Sequence, residues 1–183
     1  DVDGTNVVAN GVAKVNTSSG VWSALGTGGG SGIARGTLAS GEVSSLTLIG
    51  SSLYVAGNFT MANVGGPIIN VSNIAKFDTG TAIWSALTQG TGKGLDAVAL
   101  ALVVNGTDIY VGGFFSFAGA VPVNGIAKFD TLTNTWSALG TGGGNGVNGT
   151  VYALAVSGGD LYAAGNFTLA NVGGTTVNVN GVA

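Results

Sequence analysis

The feature that most constrains the fold is a short segment that occurs three times. It reads GVAKVNTSSGVWSAL at 11–25, NIAKFDTGTAIWSAL at 73–87 and GIAKFDTLTNTWSAL at 125–139. A fourth copy begins at Gly181 with GVA. Recurrence of this kind is typical of repeat architectures, in which each unit is one supersecondary element that buries its apolar face against its neighbours.

Aromatic residues mark the length of the unit. The three tryptophans are spaced by 62 and 52 residues, and a Tyr and a Phe recur at similar spacing between them. Their fixed positions favour a role in packing, and the set expected to form the repeat core is Trp22, Trp84, Trp136, Tyr54, Tyr110, Tyr162, Phe59, Phe115 and Phe167. We interpret residues 1–183 as a single repeat region, with units at approximately 1–62, 63–118 and 119–170 and a fourth starting at 171–183.

Each unit reads as four short β-strands. The first two are apolar, β-rich runs joined by tight Gly, Asn, Ser or Asp links, which are hairpin signals. The first strands are predicted at 43–49, 98–104 and 151–156, and the second at 53–59, 109–115 and 161–167. The third and fourth strands are the two halves of the repeated segment, and Asp78 and Asp130 between those halves are expected to cap the turn. A helix is hard to place, because Gly, β-branched runs and turns interrupt every window.

Composition excludes several classes of function. The net charge is −3 with only 5 basic residues, so a nucleic-acid-binding patch is not expected. The longest apolar run, residues 97–104, is too short to cross a membrane as a helix. Cysteine and histidine are both absent, which removes disulfides, thiolate metal sites and the commonest general base. We therefore predict a non-enzyme with no catalytic, cofactor-binding or metal site.

Asparagine sequons point to a compartment. Asn-x-Ser/Thr occurs at Asn16, Asn58, Asn70, Asn105, Asn148 and Asn166. These are N-glycosylation candidates and would make the chain an extracellular glycoprotein. Asn105 and Asn148, which lie in loop-like NGT segments, are expected to be the best acceptors. The Gly-rich segments 26–32 and 140–146 lack the Lys-Ser/Thr of a phosphate-binding loop, and we interpret them as flexible connectors between units.

The residues carry a resemblance to known repeats. The shared order is a Tyr, a small or Gly-Gly pair, a hydrophobic strand, an Asp-led turn and a Trp, as in IYVGGFF followed by NGIAKFDTLTNTWSAL. This order resembles the kelch repeat. The GNFT, AKFD and WSAL motifs are also similar to those in secreted propeller repeats of bacterial surface proteins and of fungal Rax2-like cortical proteins. Galactose oxidase shares this kind of blade, but the His and Cys that its copper chemistry needs are missing here.

The resemblance and the strand pattern together predict an all-β fold of β-propeller-type four-stranded blades, about three repeat units in number. The chain has no initiator Met and starts inside a repeat, so we expect a mature product or a fragment. Three blades are too few to close a ring, which leaves an arc of a larger propeller, a subunit of an assembly or filament, or an open three-unit stack. We expect a non-enzymatic scaffold at the cell surface or outside the cell, whose partners are neighbouring copies or further repeats. The alternative is a glycan- or protein-binding module.

Overall fold

The regular secondary structure of the described part consists of short β-strands joined by turns and loops. The computed structural model describes residues 6–36 and 39–183, and no helix is present in these ranges. The strands, in chain order, are β1 (Ala13–Val15), β2 (Trp22–Ala24), β3 (Ile33–Arg35), β4 (Ala39–Ser40), β5 (Glu42–Ile49), β6 (Ser52–Asn58), β7 (Met61–Ala62), β8 (Ile69–Asn70), β9 (Ile74–Asp78), β10 (Ile83–Ala86), β11 (Ala99–Asn105), β12 (Asp108–Gly113), β13 (Phe117–Ala118), β14 (Val121–Pro122), β15 (Ile126–Asp130), β16 (Thr135–Ala138), β17 (Thr150–Ser157), β18 (Asp160–Asn166), β19 (Leu169–Ala170) and β20 (Val177–Asn178).

Two four-stranded antiparallel sheets have the same topology. The first sheet has the order β5-β6-β9-β10 and the second the order β11-β12-β15-β16. Their registers also correspond, because Phe77 pairs with Trp84 in the first sheet and Phe129 pairs with Trp136 in the second. The ring centroids of these pairs lie 5.0 and 4.8 Å apart. The predicted all-β fold of propeller-type four-stranded units is confirmed.

An incomplete unit lies on each side of the two complete sheets. On one side is the N-terminal hairpin, β1 paired with β2, which is formed by the repeated segment at 11–25. On the other side is the third sheet, in which β17 pairs with β18. Val182 extends this sheet by bridging to Ala164, the same place at which Ile74 pairs with Ala56 in the first sheet.

A bulge explains one glycine of every unit. The register of β5 with β6 shifts between Val43 and Ser45, next to the pair formed by Val43 and Gly57. A Cβ on Gly57 would overlap the carbonyl of Glu42. Gly113 and Gly165 occupy the corresponding sites in the other two sheets. The repeated glycine is therefore required because the bulged partner strand of its own sheet approaches it closely.

A separate hydrophobic core fills each junction between neighbouring sheets. Val55 of β6 points into the core shared with the N-terminal hairpin, whereas Tyr54 and Ala56 point into the core shared with the second sheet. A third core joins Ile126 of the second sheet to Val151 of the third. The middle strands are thus buried on both faces, so each sheet depends on its neighbours for most of its apolar burial.

The long link from the second to the third strand has structure of its own. It forms the small hairpins β7–β8, β13–β14 and β19–β20. The first of these hairpins also pairs with β3, which pairs in turn with β4. In addition, the link just before β9 makes a parallel bridge from Ser72 to Gly94, and Asn124 and Gly146 repeat this bridge one unit later. These bridges connect each unit to the segment that leads into the next unit.

Candidate functional site

The contact between units is organised by the indole of the repeated segment. Trp84 is 2% exposed, and its Nε1–H donates to the backbone carbonyl of Leu25 at 2.9 Å. Trp136 is 3% exposed and donates to the carbonyl of Leu87 at 3.4 Å. In both cases the acceptor is the last residue of the repeated segment in the preceding unit. Each tryptophan therefore both fills a core and satisfies a backbone carbonyl of its neighbour.

The corresponding aromatic residues at the two outer faces are exposed. Tyr54 is 4% exposed and lies in the same core as Trp136, and burial raises the pKa of its hydroxyl. Its equivalent on the third sheet, Tyr162, is 49% exposed, and Trp22 on the N-terminal hairpin is 47% exposed. Tyr110 is half-buried. The other members of the predicted repeat core are buried, namely Phe59, Phe115 and Phe167.

An asparagine that the sequence analysis did not single out holds the first Gly-rich segment. Asn63 is 3% exposed and has a backbone φ of 59°. Its Oδ1 accepts from the Thr27 N–H at 2.8 Å, and its Nδ2 donates to the Pro67 carbonyl at 3.0 Å. A Cβ on Gly30 would overlap the Asn63 amide. The glycines of this segment are therefore needed for close packing around Asn63, and the predicted flexible connector is a hydrogen-bonded loop.

The second Gly-rich segment repeats this clamp. Asn171 has a φ of 57°, and its Oδ1 accepts from the Thr141 N–H at 2.8 Å. Its Nδ2 donates to the carbonyls of Thr141 and Thr175. The middle unit has a different connector and carries Gly119 at this position, with a φ of 59°. The left-handed backbone conformation is thus common to all three units, and the Asn side chain accompanies the longer Gly-rich connector.

The sequon asparagines lie at several separate places on the surface. Five are exposed, namely Asn16, Asn70, Asn105, Asn148 and Asn166, and Asn58 is half-buried at the end of β6. Two of them make contacts between distant segments. Asn148 Oδ1 accepts from the N–H groups of Thr168 and Leu169, both at 2.9 Å. Asn105 Nδ2 donates to the carbonyl of Gly158 at 3.2 Å. Glycosylation at these asparagines stays a prediction.

The carboxylates of the repeated segment cap turns. Asp78 Oδ1 accepts from the Thr81 N–H at 2.8 Å, and Asp130 Oδ1 accepts from the Leu132 N–H at 2.8 Å and the Thr133 N–H at 3.1 Å. These hydrogen bonds hold the pKa of both carboxyl groups below the ordinary 3.8. Both side chains are thereby occupied within their own turns, which is the role predicted for them.

Neither a metal centre nor a membrane helix is visible in the described ranges. No group of three His, Cys, Asp or Glu side chains that could hold a metal ion occurs in residues 6–36 and 39–183. Over the same ranges no helix is long and apolar enough to cross a membrane. The side chains buried in these ranges are mainly aromatic and aliphatic, and the buried polar residues among them are Ser31, Asn63 and Asn73.

Sequence reasoning missed the clamp asparagines and one exposed aromatic residue. Asn63 and Asn171 stand in the matching segments MANVGG and LANVGG, and this shared wording was the available signal. Phe114 stands where the other units have Asn58 and Asn166, and it is 67% exposed. Its signal was the change from GNFT to GFFS. One signal is an identity between two copies and the other is a difference between copies. Neither is required to recognise the four-strand pattern.

Comparison with known proteins identifies the repeat. Residues 91–180 match the family model of the Rax2 C-terminal beta propeller domain. The chain is also 35% identical over 113 residues to Polarized growth protein L1 of Phoma sp., a match that covers 61% of this chain and 8% of that protein. The matched segment thus spans less than a tenth of the length of this relative. The Rax2-like resemblance inferred from the repeated segments is confirmed, and residues 91–180 are similar to this propeller family.

Proposed function

We propose that this chain is a non-enzymatic structural module, associated with the cell surface or a site of polarised growth, that works by packing against further units of the same repeat. The Rax2-type family match and the name of the Phoma relative support a place in polarised growth. A module of this kind needs faces that accept another unit, and it needs no reactive groups.

The observation that carries this proposal is the complementarity of the two outer faces. Inside the chain, Tyr54 of the first sheet and Trp136 of the second lie in one buried core. At the outer faces the two halves of this arrangement are exposed separately, Tyr162 on the third sheet and Trp22 on the N-terminal hairpin. A face that carries Tyr162 matches a face that carries Trp22 in the way that neighbouring sheets match inside the chain.

Further apolar side chains are exposed on the first and third sheets. Leu46 and Leu48 of β5 are 50% and 57% exposed beside the N-terminal hairpin, and Tyr152 of β17 is 57% exposed. Side chains of this kind bury area when another unit packs on them, because burial of apolar surface is the main favourable term in association. A head-to-tail contact between two different faces does not limit itself to a dimer, so repetition gives an extended assembly.

Self-association of the chain tests the proposal. We expect sedimentation velocity to show mass that grows with concentration, and electron microscopy to show linear or curved assemblies. Trp22→Ala removes the indole from one face and is expected to weaken association at least about tenfold, or roughly 1.4 kcal/mol. The matched control is Leu132→Ala, since Leu132 is 75% exposed and lies in the turn between β15 and β16 of the second sheet. A chain that stays monomeric at about 100 μM, well above a micromolar Kd, contradicts the proposal.

The extracellular part of the proposal has its own support and test. Six sequons and a charged fraction of only 7% are consistent with a glycosylated chain that relies on sugars for solubility. Secretion from a eukaryotic host followed by enzymatic deglycosylation is expected to lower the intact mass. An unchanged mass contradicts the extracellular assignment but leaves the packing role standing, because self-association is measured independently.

A further inference from the structure

One groove between units combines an exposed aromatic side chain with neutral polar groups. The groove, called the rim groove here, lies where the loops of the second sheet meet those of the third and has a volume of about 230 Å³. Its walls include Phe114, Ser116, Asn124, Val147, Asn148 and Val172. No charged side chain is among its lining residues. The volume is below the ~300 Å³ at which sites for drug-sized ligands begin, so it suits a single ring.

Phe114 provides an exposed aromatic face at this groove. The side chain is 67% exposed although it lies at the end of a strand whose neighbouring positions are buried. Its backbone N–H donates to the Val98 carbonyl, so the main chain is held in the sheet while the ring is free. The equivalent positions carry Asn58 and Asn166, which shows that the repeat does not need an aromatic ring here.

Neutral hydrogen-bonding groups lie beside the ring. Asn124 Nδ2 donates to Asn145 Oδ1 at 2.7 Å, which orients the amide and points its other polar atom away from that contact. Ser116 contributes an exposed hydroxyl. Asn148 is fixed by its bonds to Thr168 and Leu169. The groove therefore combines an aromatic face with amide and hydroxyl groups on a rigid backbone.

A groove at the preceding junction overlaps in part with the equivalent positions, since Ser72, Leu95 and Asp96 stand where the rim groove has Asn124, Val147 and Asn148. It has a volume of about 270 Å³ and is lined by Ser72, Thr91, Lys93, Asp96 and Gly119 among others. It contains two charged residues and no aromatic ring. That groove does not include the position equivalent to Phe114, which is Asn58 in its unit and Asn166 in the third, so an aromatic ring at this position is specific to the second unit.

We propose that the rim groove binds a neutral pyranose sugar, with the ring face stacked on Phe114 and hydroxyls bonded to Ser116 and Asn124. The C–H groups on one face of a pyranose are polarised positively by the ring oxygens, and the face of an aromatic ring is negative, so the two faces attract. Hydroxyl groups match amide and hydroxyl partners without charge. This proposal stands independently of self-association, which uses other faces.

The sugar has two sources, and the experiment separates them. One is a free or wall-bound oligosaccharide, and the other is an N-linked sugar on Asn148, whose side chain lines the same groove. In the first arm, unglycosylated chain is titrated with chitotetraose, cellotetraose and laminaritetraose while amide chemical shifts are followed by NMR. We expect shifts at Gly125 and Gly149, which line the groove, with a Kd near 1 mM.

The variants make the first arm specific. Phe114→Gln is expected to weaken binding about fivefold or more, and Gln avoids the new sequon that Asn would create ahead of Phe115 and Ser116. Phe117→Gln is the matched control, since Phe117 is another exposed phenylalanine, 46% accessible, and does not line the groove. Equal binding by the Phe114 variant overturns the proposal.

The second arm uses chain secreted from a eukaryotic host. If the sugar on Asn148 is the occupant, the Gly125 amide shift differs between the glycosylated and deglycosylated forms, and Phe114→Gln abolishes that difference. Gly149 is not used in this arm, because it follows Asn148 directly and responds to any change at that side chain. A response in the first arm assigns the groove to an external oligosaccharide, and a response in the second arm alone assigns it to the chain's own sugar. Absence of both responses, including the case in which Asn148 carries no sugar, overturns the proposal, and neither result affects the packing role.

Discussion

The packing of one unit on the next predicts an ordered series of stability losses at the three tryptophans. Trp84→Ala removes a side chain that is 98% buried and donates to the Leu25 carbonyl across the junction. Trp136→Ala removes its equivalent one unit later. Trp22→Ala removes the indole at the equivalent position of the N-terminal hairpin, where the side chain is 47% exposed. The three variants therefore change the same chemistry at different burial.

The expected magnitudes follow from burial and from the hydrogen bond. Truncation of a buried Trp costs about 3–5 kcal/mol, which includes both the lost transfer free energy and the cavity. Trp84→Phe keeps much of the ring but leaves the Leu25 carbonyl without its donor, and we expect it to cost about 1–3 kcal/mol. Trp22→Ala is expected to cost less than about 1 kcal/mol, because surface substitutions are usually near neutral. For a chain of this length each kcal/mol lowers Tm by roughly 2–4 °C.

Urea denaturation followed by far-ultraviolet circular dichroism measures the series without relying on the tryptophans that are removed. The measurement is made on dilute chain, so that association through the outer faces does not stabilise the Trp22 side. The same ordering is expected in thermal unfolding, with Trp84→Ala and Trp136→Ala close together and Trp22→Ala near the parent. Equal losses at Trp22 and Trp84, or a loss under about 1 kcal/mol at Trp84, would refute the reasoning that stability resides in the junctions.

Three further outcomes are expected. Asn63→Ala removes both clamp hydrogen bonds and places Ala at a φ of 59°, so urea denaturation should show a loss of stability of about 2–4 kcal/mol. Asn63→Gly also removes the hydrogen bonds but tolerates this backbone conformation, so it should lose less stability. Equal losses in the two variants would contradict the backbone part of this argument. Because the pKa values of Asp78 and Asp130 are lowered in the folded state, their contribution to stability is present above pH 3.8 and is lost as the pH falls through the lowered values. Replacing both residues with Asn should therefore flatten the decline of Tm between about pH 5 and pH 2. The ion pair between Lys128 and Asp108, at 3.1 Å with both side chains partly exposed, should show a coupling of at most about 1 kcal/mol in a double-mutant cycle at low salt and less at high salt.

The strand framework could be predicted because the sequence repeats its own pattern. The predicted second strand at 109–115 is observed at Asp108–Gly113, and the predicted first strand at 43–49 is observed at Glu42–Ile49. These strands are long enough for hairpin links and β-rich runs to identify them. The hairpins β7–β8, β13–β14 and β19–β20 were not predicted, because each strand has two residues and two residues carry no alternation to detect.

Exposure at the outer faces could not be predicted from a repeated pattern. Trp22, Trp84 and Trp136 stand at identical places in nearly identical segments, so any argument from the sequence assigns them one role. Their burial differs because burial depends on the neighbouring unit, which is a property of position along the array. The same reasoning applies to Tyr54 and Tyr162, of which only the first faces another sheet.

The Gly-rich segments show why a low-complexity composition was a poor guide to mobility. Segment 26–32 is interpreted from the sequence as a flexible connector, and glycine costs more conformational entropy to order than any other residue. That cost is offset here by close packing that a Cβ would prevent, since Gly30 lies against the Asn63 amide and Gly66 against the Thr27 carbonyl. Backbone hydrogen bonds from Ser31 to Val64 and from Val64 to Gly32 complete the loop. Glycine at these positions therefore allows the backbones to pack closely. The Asn63 side chain in turn fixes the connector between one unit and the next by hydrogen bonds.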